Sequence, residues 1–137
     1  MAKKKWILAV DDDPSILAAL EAVLAHPELT ITTASDALQA FIQARDLVPL
    51  LIICDIQMPG YGYGTVTLKL IREDPRFPRV PIVFMTAMNL DEARALLPVN
   101  DPTIGLIPKP LDLVRLREYV WKLAGVTAPP RRPEENP

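Results

Sequence analysis

Five short apolar runs, each followed by a segment of helical period, restrict this chain more than any other feature. Strands are expected near 5–10, 29–34, 50–54, 81–85 and 103–107, and helices over 14–26, 36–47, 65–74, 90–97 and 111–124. Strands separated by helices pair in parallel, and right-handed crossovers then place helices on both faces of the sheet. The run Leu51-Ile52-Ile53-Cys54 is apolar at every position, as in a strand buried on both faces. The expectation is an α/β fold, a doubly wound five-stranded parallel sheet of order 2-1-3-4-5. A length of 137 residues suits one such domain, and no internal repeat is visible.

Strand ends carry the chemistry in such sheets. The first apolar run ends on Asp11-Asp12-Asp13, the third on Asp55, the fourth on Thr86, and Lys109 lies just beyond the fifth. Asp13 before Pro14 reads as a helix start, the acid capping free amides and the proline fitting the first helical position. That accounts for Asp13 but not for Asp11 and Asp12. In the order 2-1-3-4-5 the first and third strands are neighbours, which sets Asp11, Asp12 and Asp55 side by side. Three carboxylates so placed repel unless a cation lies between them. Hard oxygen ligands with room for water suit Mg²⁺; zinc is disfavoured without a cysteine or histidine cluster.

The remaining composition excludes more than it proposes. A net charge of -2, from 15 basic and 17 acidic residues, leaves no electrostatic footprint for nucleic acid or an anionic membrane. No apolar run approaches the ~20 residues of a membrane span, and Met1-Ala2-Lys3-Lys4-Lys5 leads into a strand rather than a signal-peptide core. A cytoplasmic location is expected. The single cysteine, Cys54, permits no internal disulfide and reads as a small buried hydrophobe. In the first helix Ile16, Leu17, Leu20, Val23 and Leu24 form a core stripe. Ala18, Ala22 and Ala25 lie on another side, a smooth face open to a partner helix or merely a helix-favouring choice. His26, beside Pro27, reads as a surface cap at the helix end.

Four segments together carry a family resemblance: Val10-Asp11-Asp12-Asp13-Pro14, Cys54-Asp55-Ile56-Gln57-Met58-Pro59-Gly60, Met85-Thr86-Ala87 and Pro108-Lys109-Pro110. In this order and at these spacings they resemble the signatures of the response-regulator receiver domain, over residues 5 to about 124. The resemblance implies a flavodoxin-like domain over 1–124, with 125–137 a disordered proline-rich tail or the start of a linker. It implies that Asp55 accepts a phosphoryl group from a histidine kinase or histidine phosphotransfer protein. Asp11, Asp12, Asp55 and the backbone carbonyl of Gln57 would hold Mg²⁺, while Lys109, the Thr86 hydroxyl and the Ala87 amide would hold phosphoryl oxygens. An aspartate of ordinary pKa, ~3.9, is ionised at neutral pH and needs no general base to attack phosphorus. The resemblance further implies a cis Lys109-Pro110 bond. Output would pass to a downstream protein through the fourth helix, fifth strand and fifth helix, including Leu90, Arg94, Arg115 and Tyr119. Such a domain is not an enzyme in its own right; it assists its own phosphotransfer and dephosphorylation.

Three departures bear on transmission. Leu106 stands where the family usually carries an aromatic switch residue, so a constitutive docking module with weak or no switching is a competing reading. Tyr61-Gly62-Tyr63-Gly64 makes the loop after the third strand longer, and it should be mobile. Leu97-Pro98-Val99-Asn100-Asp101-Pro102 replaces a Gly-Ala turn and should shorten the fourth helix. An enzyme or nucleotide binder on the same layout fits less well. Gln57 lacks the acid that a dehalogenase-like phosphatase would use, and the acidic first loop does not suit a flavin phosphate.

Overall fold

The structure, a computed structural model, describes residues 5–57, 65–76 and 79–129, with side chains at 65–67 outside that description. The loop expected at Tyr61-Gly62-Tyr63-Gly64, the segment Met58-Pro59-Gly60 and the tail beyond 129 lie outside the described residues. The elements alternate as β1 (Lys5–Val10), α1 (Pro14–Leu24), β2 (Leu29–Ala34), α2 (Ala37–Leu47), β3 (Leu51–Asp55), α3 (Thr65–Glu73), β4 (Ile82–Thr86), α4 (Leu90–Arg94), β5 (Ile104–Pro108) and α5 (Leu113–Ala124). All pairings are parallel, in the order β2-β1-β3-β4-β5. This is the doubly wound, flavodoxin-like layout expected from the alternation.

Side-chain alternation along each strand divides the core in two. Leu8, Val10, Ile52, Cys54, Ile82 and Phe84 face α2, α3 and α4, meeting Ala40, Ala44, Leu68, Ile71 and Ala93. Ile7, Ala9, Leu51, Ile53, Val83 and Met85 face the other way, against Leu20 and Leu24 of α1 and Leu116, Val120 and Ala124 of α5. β3 and β4 are therefore buried at every residue, which is why they read as unbroken apolar runs. Ala18 and Ala22 are exposed, as the helical stripe required, and Ala25, just past the end of α1, is exposed as well.

Two helices end earlier than periodicity indicates. α1 stops at Leu24, because Pro27 draws the residue before it away from helical geometry and Ala25 is already extended, with ψ 127°. His26 is accordingly not a cap of α1, contrary to the sequence expectation. α4 stops at Arg94 rather than 97; Leu96 and Leu97 turn back to the Ala93 and Arg94 carbonyls at 3.0 and 3.1 Å, a tighter winding before Pro98. β4 and β5 each reach one residue further than expected, taking in Thr86 and Pro108.

β5 is an edge strand. The Ile82 amide donates to the Thr103 carbonyl at 2.9 Å and the Lys109 amide to Thr86 at 2.7 Å, so odd-numbered residues face β4. The backbone groups of Ile104, Leu106 and Pro108 point outward. Ile104 spends its amide on Asp101 at 3.2 Å and proline has none, leaving the outward amide to Leu106.

The loop entering β5 is anchored by polar contacts that periodicity does not signal. Arg72 donates from Nη2 to the Val80 carbonyl at 2.8 Å and to Thr103 Oγ1 at 3.0 Å. Thr103 Oγ1 donates to Asp101 Oδ1 at 2.6 Å, and Arg79 Nη2 to Asp101 Oδ2 at 2.7 Å. The Thr103 hydroxyl and amide, with Arg79, hold the Asp101 carboxyl down at about 2, from an ordinary 3.8. The unfolded chain therefore takes up this proton first. Stability supplied by Asp101 is complete above 3.8 and is lost as pH falls toward about 2. Thermal melts over that interval should show a flatter pH dependence in Asp101→Asn than in the wild type; equal slopes would remove Asp101 from the acid transition.

Candidate phosphoryl-transfer site

The carboxyl ends of β1, β3, β4 and β5 converge on one polar cluster. The β1–β2 ladder continues to Asp11, whose amide donates to the Ala34 carbonyl at 3.1 Å, and the β3–β4 ladder continues past Asp55 through Ile56 to Met85 at 2.9 Å. Both acids are thus held by backbone on either side. Asp11 is 1 % and Asp55 5 % exposed, and Asp12 faces solvent. Oxygens of the three carboxylates lie within 4.8 Å of one another.

Lys109 spans two of them, with Nζ 2.9 Å from Asp11 Oδ2 and 3.4 Å from Asp55 Oδ1. The Lys109-Pro110 bond is cis, as the resemblance implied. The other oxygen of Asp11 accepts from the Asp13 amide at 2.9 Å, while the Asp13 side chain caps α1 through the Ser15 amide and hydroxyl. Asp13 is therefore both cap and support, the second role being invisible in the sequence. Asp55 Oδ1 also accepts from the Gln57 amide at 3.3 Å. Thr86, 1 % exposed, ends β4; its Oγ1 accepts from the Met88 amide at 2.9 Å, and Ala87 beside it is exposed. Leu106, half-buried, packs toward the α2, α3 and α4 layer rather than into this cluster.

Electrostatics set the state of the acids. Burial pushes the Asp55 carboxyl above its ordinary value, the charge of Asp11 adds to this, and Lys109 pulls it partly back. The ordinary aspartate value assumed from sequence does not hold, because the carboxyl is desolvated beside a second acid. Burial acts against the Lys109 ammonium, but its contacts with Asp11 and Asp55 outweigh burial and raise it. The all-oxygen donor set and its close spacing fit a small divalent cation, which would relieve the repulsion that Lys109 only half neutralises.

The sequence pattern of the response regulator receiver domain matches residues 7–121. This chain belongs to the response-regulator receiver family. The receiver is 34 % identical over 127 residues to the response regulator Rre1 of Synechocystis, covering 90 % of this chain and 53 % of that protein. It is 34 % identical over 108 residues to the DNA-binding transcriptional regulator NtrC of Escherichia coli, covering 79 % and 22 % respectively. It thus spans about half the length, or less, of these relatives. Among solved structures it resembles the receiver domain of the sensor histidine kinase PA1611 from Pseudomonas aeruginosa, which has a magnesium ion coordinated in its active-site cleft. That match has 25 % identity and a TM-score of 0.73, covering 90 % of this chain and 99 % of the other. In this receiver no helix among the described residues is long and apolar enough to cross a membrane.

Proposed function

We propose that this receiver accepts a phosphoryl group on Asp55 from a phosphohistidine of a histidine kinase or histidine phosphotransfer protein, in a Mg²⁺-dependent step in the cytoplasm. The observation that carries the reading is the junction of three carboxylates within 4.8 Å with a lysine bridging two of them. In the transfer the bond from phosphorus to the donor imidazole breaks, and a carboxyl oxygen of Asp55 forms the acyl phosphate. Asp11, Asp12, Asp55 and the Gln57 carbonyl would hold Mg²⁺, which supplies neutralising charge to the carboxylates and the incoming phosphoryl oxygens. Lys109 exchanges a carboxylate contact for a second phosphoryl oxygen. The Thr86 hydroxyl already accepts from Met88, so its own proton is free to donate to a third, alongside the Ala87 amide. Positioning and charge compensation are the whole of the catalysis; the domain acts on its own aspartyl phosphate and is otherwise no enzyme. The exposed alanines of α1, Ala18 and Ala22, leave a smooth face that suits a partner helix.

The receiver proper is taken as 1–124, with 125–137 a tail or linker whose first residues, 125–127, still lie against the domain through buried Val126 and the Thr127 carbonyl. Its output is contact with a downstream protein through α4, β5 and α5, where Leu90 is half-buried and Arg94, Arg115 and Tyr119 are exposed, with no direct contact to nucleic acid. Leu106, without a ring to swing, favours a second reading: a constitutive docking module that switches weakly or not at all.

A small phosphodonor such as acetyl phosphate should add one phosphoryl mass in the presence of Mg²⁺ and none in excess chelator. No addition under saturating donor would place the docking module first. In the phosphorylated sample, amide exchange in α4 separates the readings: faster or slower exchange marks a working switch, and unchanged exchange the weak one.

A further inference from the structure

The sheet has two edges, and the one at β2 is unlike that at β5. The Asp11 amide donates to the Ala34 carbonyl, which fixes the parity of the parallel pairing. Thr30, Thr32 and Ala34 turn their backbone groups toward β1, while Leu29, Ile31 and Thr33 turn theirs outward. Two of the outward groups are taken within the chain. The Leu29 amide donates to the His26 carbonyl at 3.0 Å, and the Thr33 carbonyl accepts from Gln43 Nε2 of α2 at 2.8 Å. Gln43 is itself held by the Thr32 hydroxyl, which donates to its Oε1. The Ile31 amide and carbonyl, the Thr33 amide and the Leu29 carbonyl have no partner among the described residues. β2 also lacks the features that discourage strand addition: residues 29–34 contain no charge and no proline, and four of the six are β-branched.

We propose that the β2 edge recognises itself: two copies of this chain pair there antiparallel, about a two-fold axis at Ile31, and join their sheets into one. With Ile31 opposite Ile31, the two residues exchange both of their hydrogen bonds, and each Thr33 amide reaches the Leu29 carbonyl of the second copy. The groups left over, the Leu29 amide and the Thr33 carbonyl, fall opposite each other in this register and are the two already taken. All free outward groups of both strands are thus satisfied, in four hydrogen bonds. A shift of two residues in either direction keeps only two of the four, so the pattern selects one register. Charge is complementary too, because each outward N–H dipole meets a C=O dipole and no ionised side chain lies within either strand. Thr30 falls opposite Thr32 of the second copy, a favourable cross-strand pair. The carboxyl ends of the two sheets then point in opposite directions, and each copy keeps its own Asp55 cluster and its own β5 edge clear of the junction.

The test is amide hydrogen exchange on the full-length, unphosphorylated chain, so it stands apart from phosphoryl transfer. From micromolar to millimolar protein the Ile31 and Thr33 amides should gain protection together, by about tenfold, because a paired amide exchanges only when the copies part. The Leu106 amide, the outward donor of the β5 edge, should not change. Ile31→Lys and Ile31→Glu should each lose the concentration dependence, since a residue on the axis meets its own charge, and an equimolar mixture of the two should regain it. Protection of the Ile53 amide in β3 reports that each variant is folded. Wild-type Ile31 and Thr33 protection that ignores concentration, or a gain at Leu106 in its place, overturns the proposal. So does a mixture of folded variants that fails to regain the effect.

Discussion

Asp55→Asn should take up no phosphoryl group from acetyl phosphate and Mg²⁺ under conditions where the wild type gains one, read as intact mass. The amide keeps the shape of the side chain but offers no carboxylate nucleophile, so the loss is complete rather than graded. A second effect runs in the opposite direction. Burial and Asp11 raise the Asp55 carboxyl above its ordinary value, so the folded chain binds this proton more tightly than the unfolded chain does. Stability then falls as pH rises through the window between the unfolded and folded values. Removing the charge should raise the melting midpoint at neutral pH without divalent cation, and the gain should vanish in acid, where the wild-type carboxyl is protonated. A variant that still gains phosphoryl mass, or that melts below the wild type at neutral pH, contradicts this account of the site.

Lys109→Met is expected to do the reverse. Its side chain is 18 % exposed, and its ammonium offsets the charge on Asp11 and Asp55, which are almost wholly buried. Without it two carboxylates face each other uncompensated. The cost of leaving buried charge unpaired is about 3 kcal/mol. In a domain of this size that is roughly 10 °C in the melting midpoint. Millimolar Mg²⁺ should restore much of the loss, because a divalent cation between the acids supplies the missing positive charge. Phosphoryl transfer would still be slower by about a hundredfold, since one stabilising contact to the transferring group is gone. Destabilisation that Mg²⁺ leaves untouched would mean Lys109 supports the fold by packing rather than by charge.

The parts of this site that were legible in sequence rest on short-range rules. Apolar runs that break off at polar residues set the strand ends within a residue or so, and parallel order then decides which ends are neighbours; the placement of Asp11, Asp12, Asp55, Thr86 and Lys109 follows from those two facts. What was not legible depends on atoms. The Asp13 amide on Asp11 and the Met88 amide on Thr86 arise from two-residue turns in which the side chain bends back on its own backbone. The raised carboxyl of Asp55 follows from burial, which composition does not report. The contact of His26 is not legible in the sequence because its partner, Thr127, is 101 residues distant and belongs to a stretch without apolar periodicity. Pro98 and Pro102 did signal a short α4, and its last turn tightens where the restriction on the residue before proline takes effect.

The outward side of β5 has a consequence for how this protein behaves when crowded. Sheet edges are templates on which other chains can add strands, and fibrils grow by that route. With Ile104 already bonded and Pro108 carrying no amide, a foreign strand laid along β5 would find a single donor, that of Leu106. The outward carbonyls can still accept, but with one donor the alternating ladder of a sheet is left incomplete. Strand addition along β5 is thereby weakened, and contact at this edge depends more on the fit of side chains than on a backbone ladder.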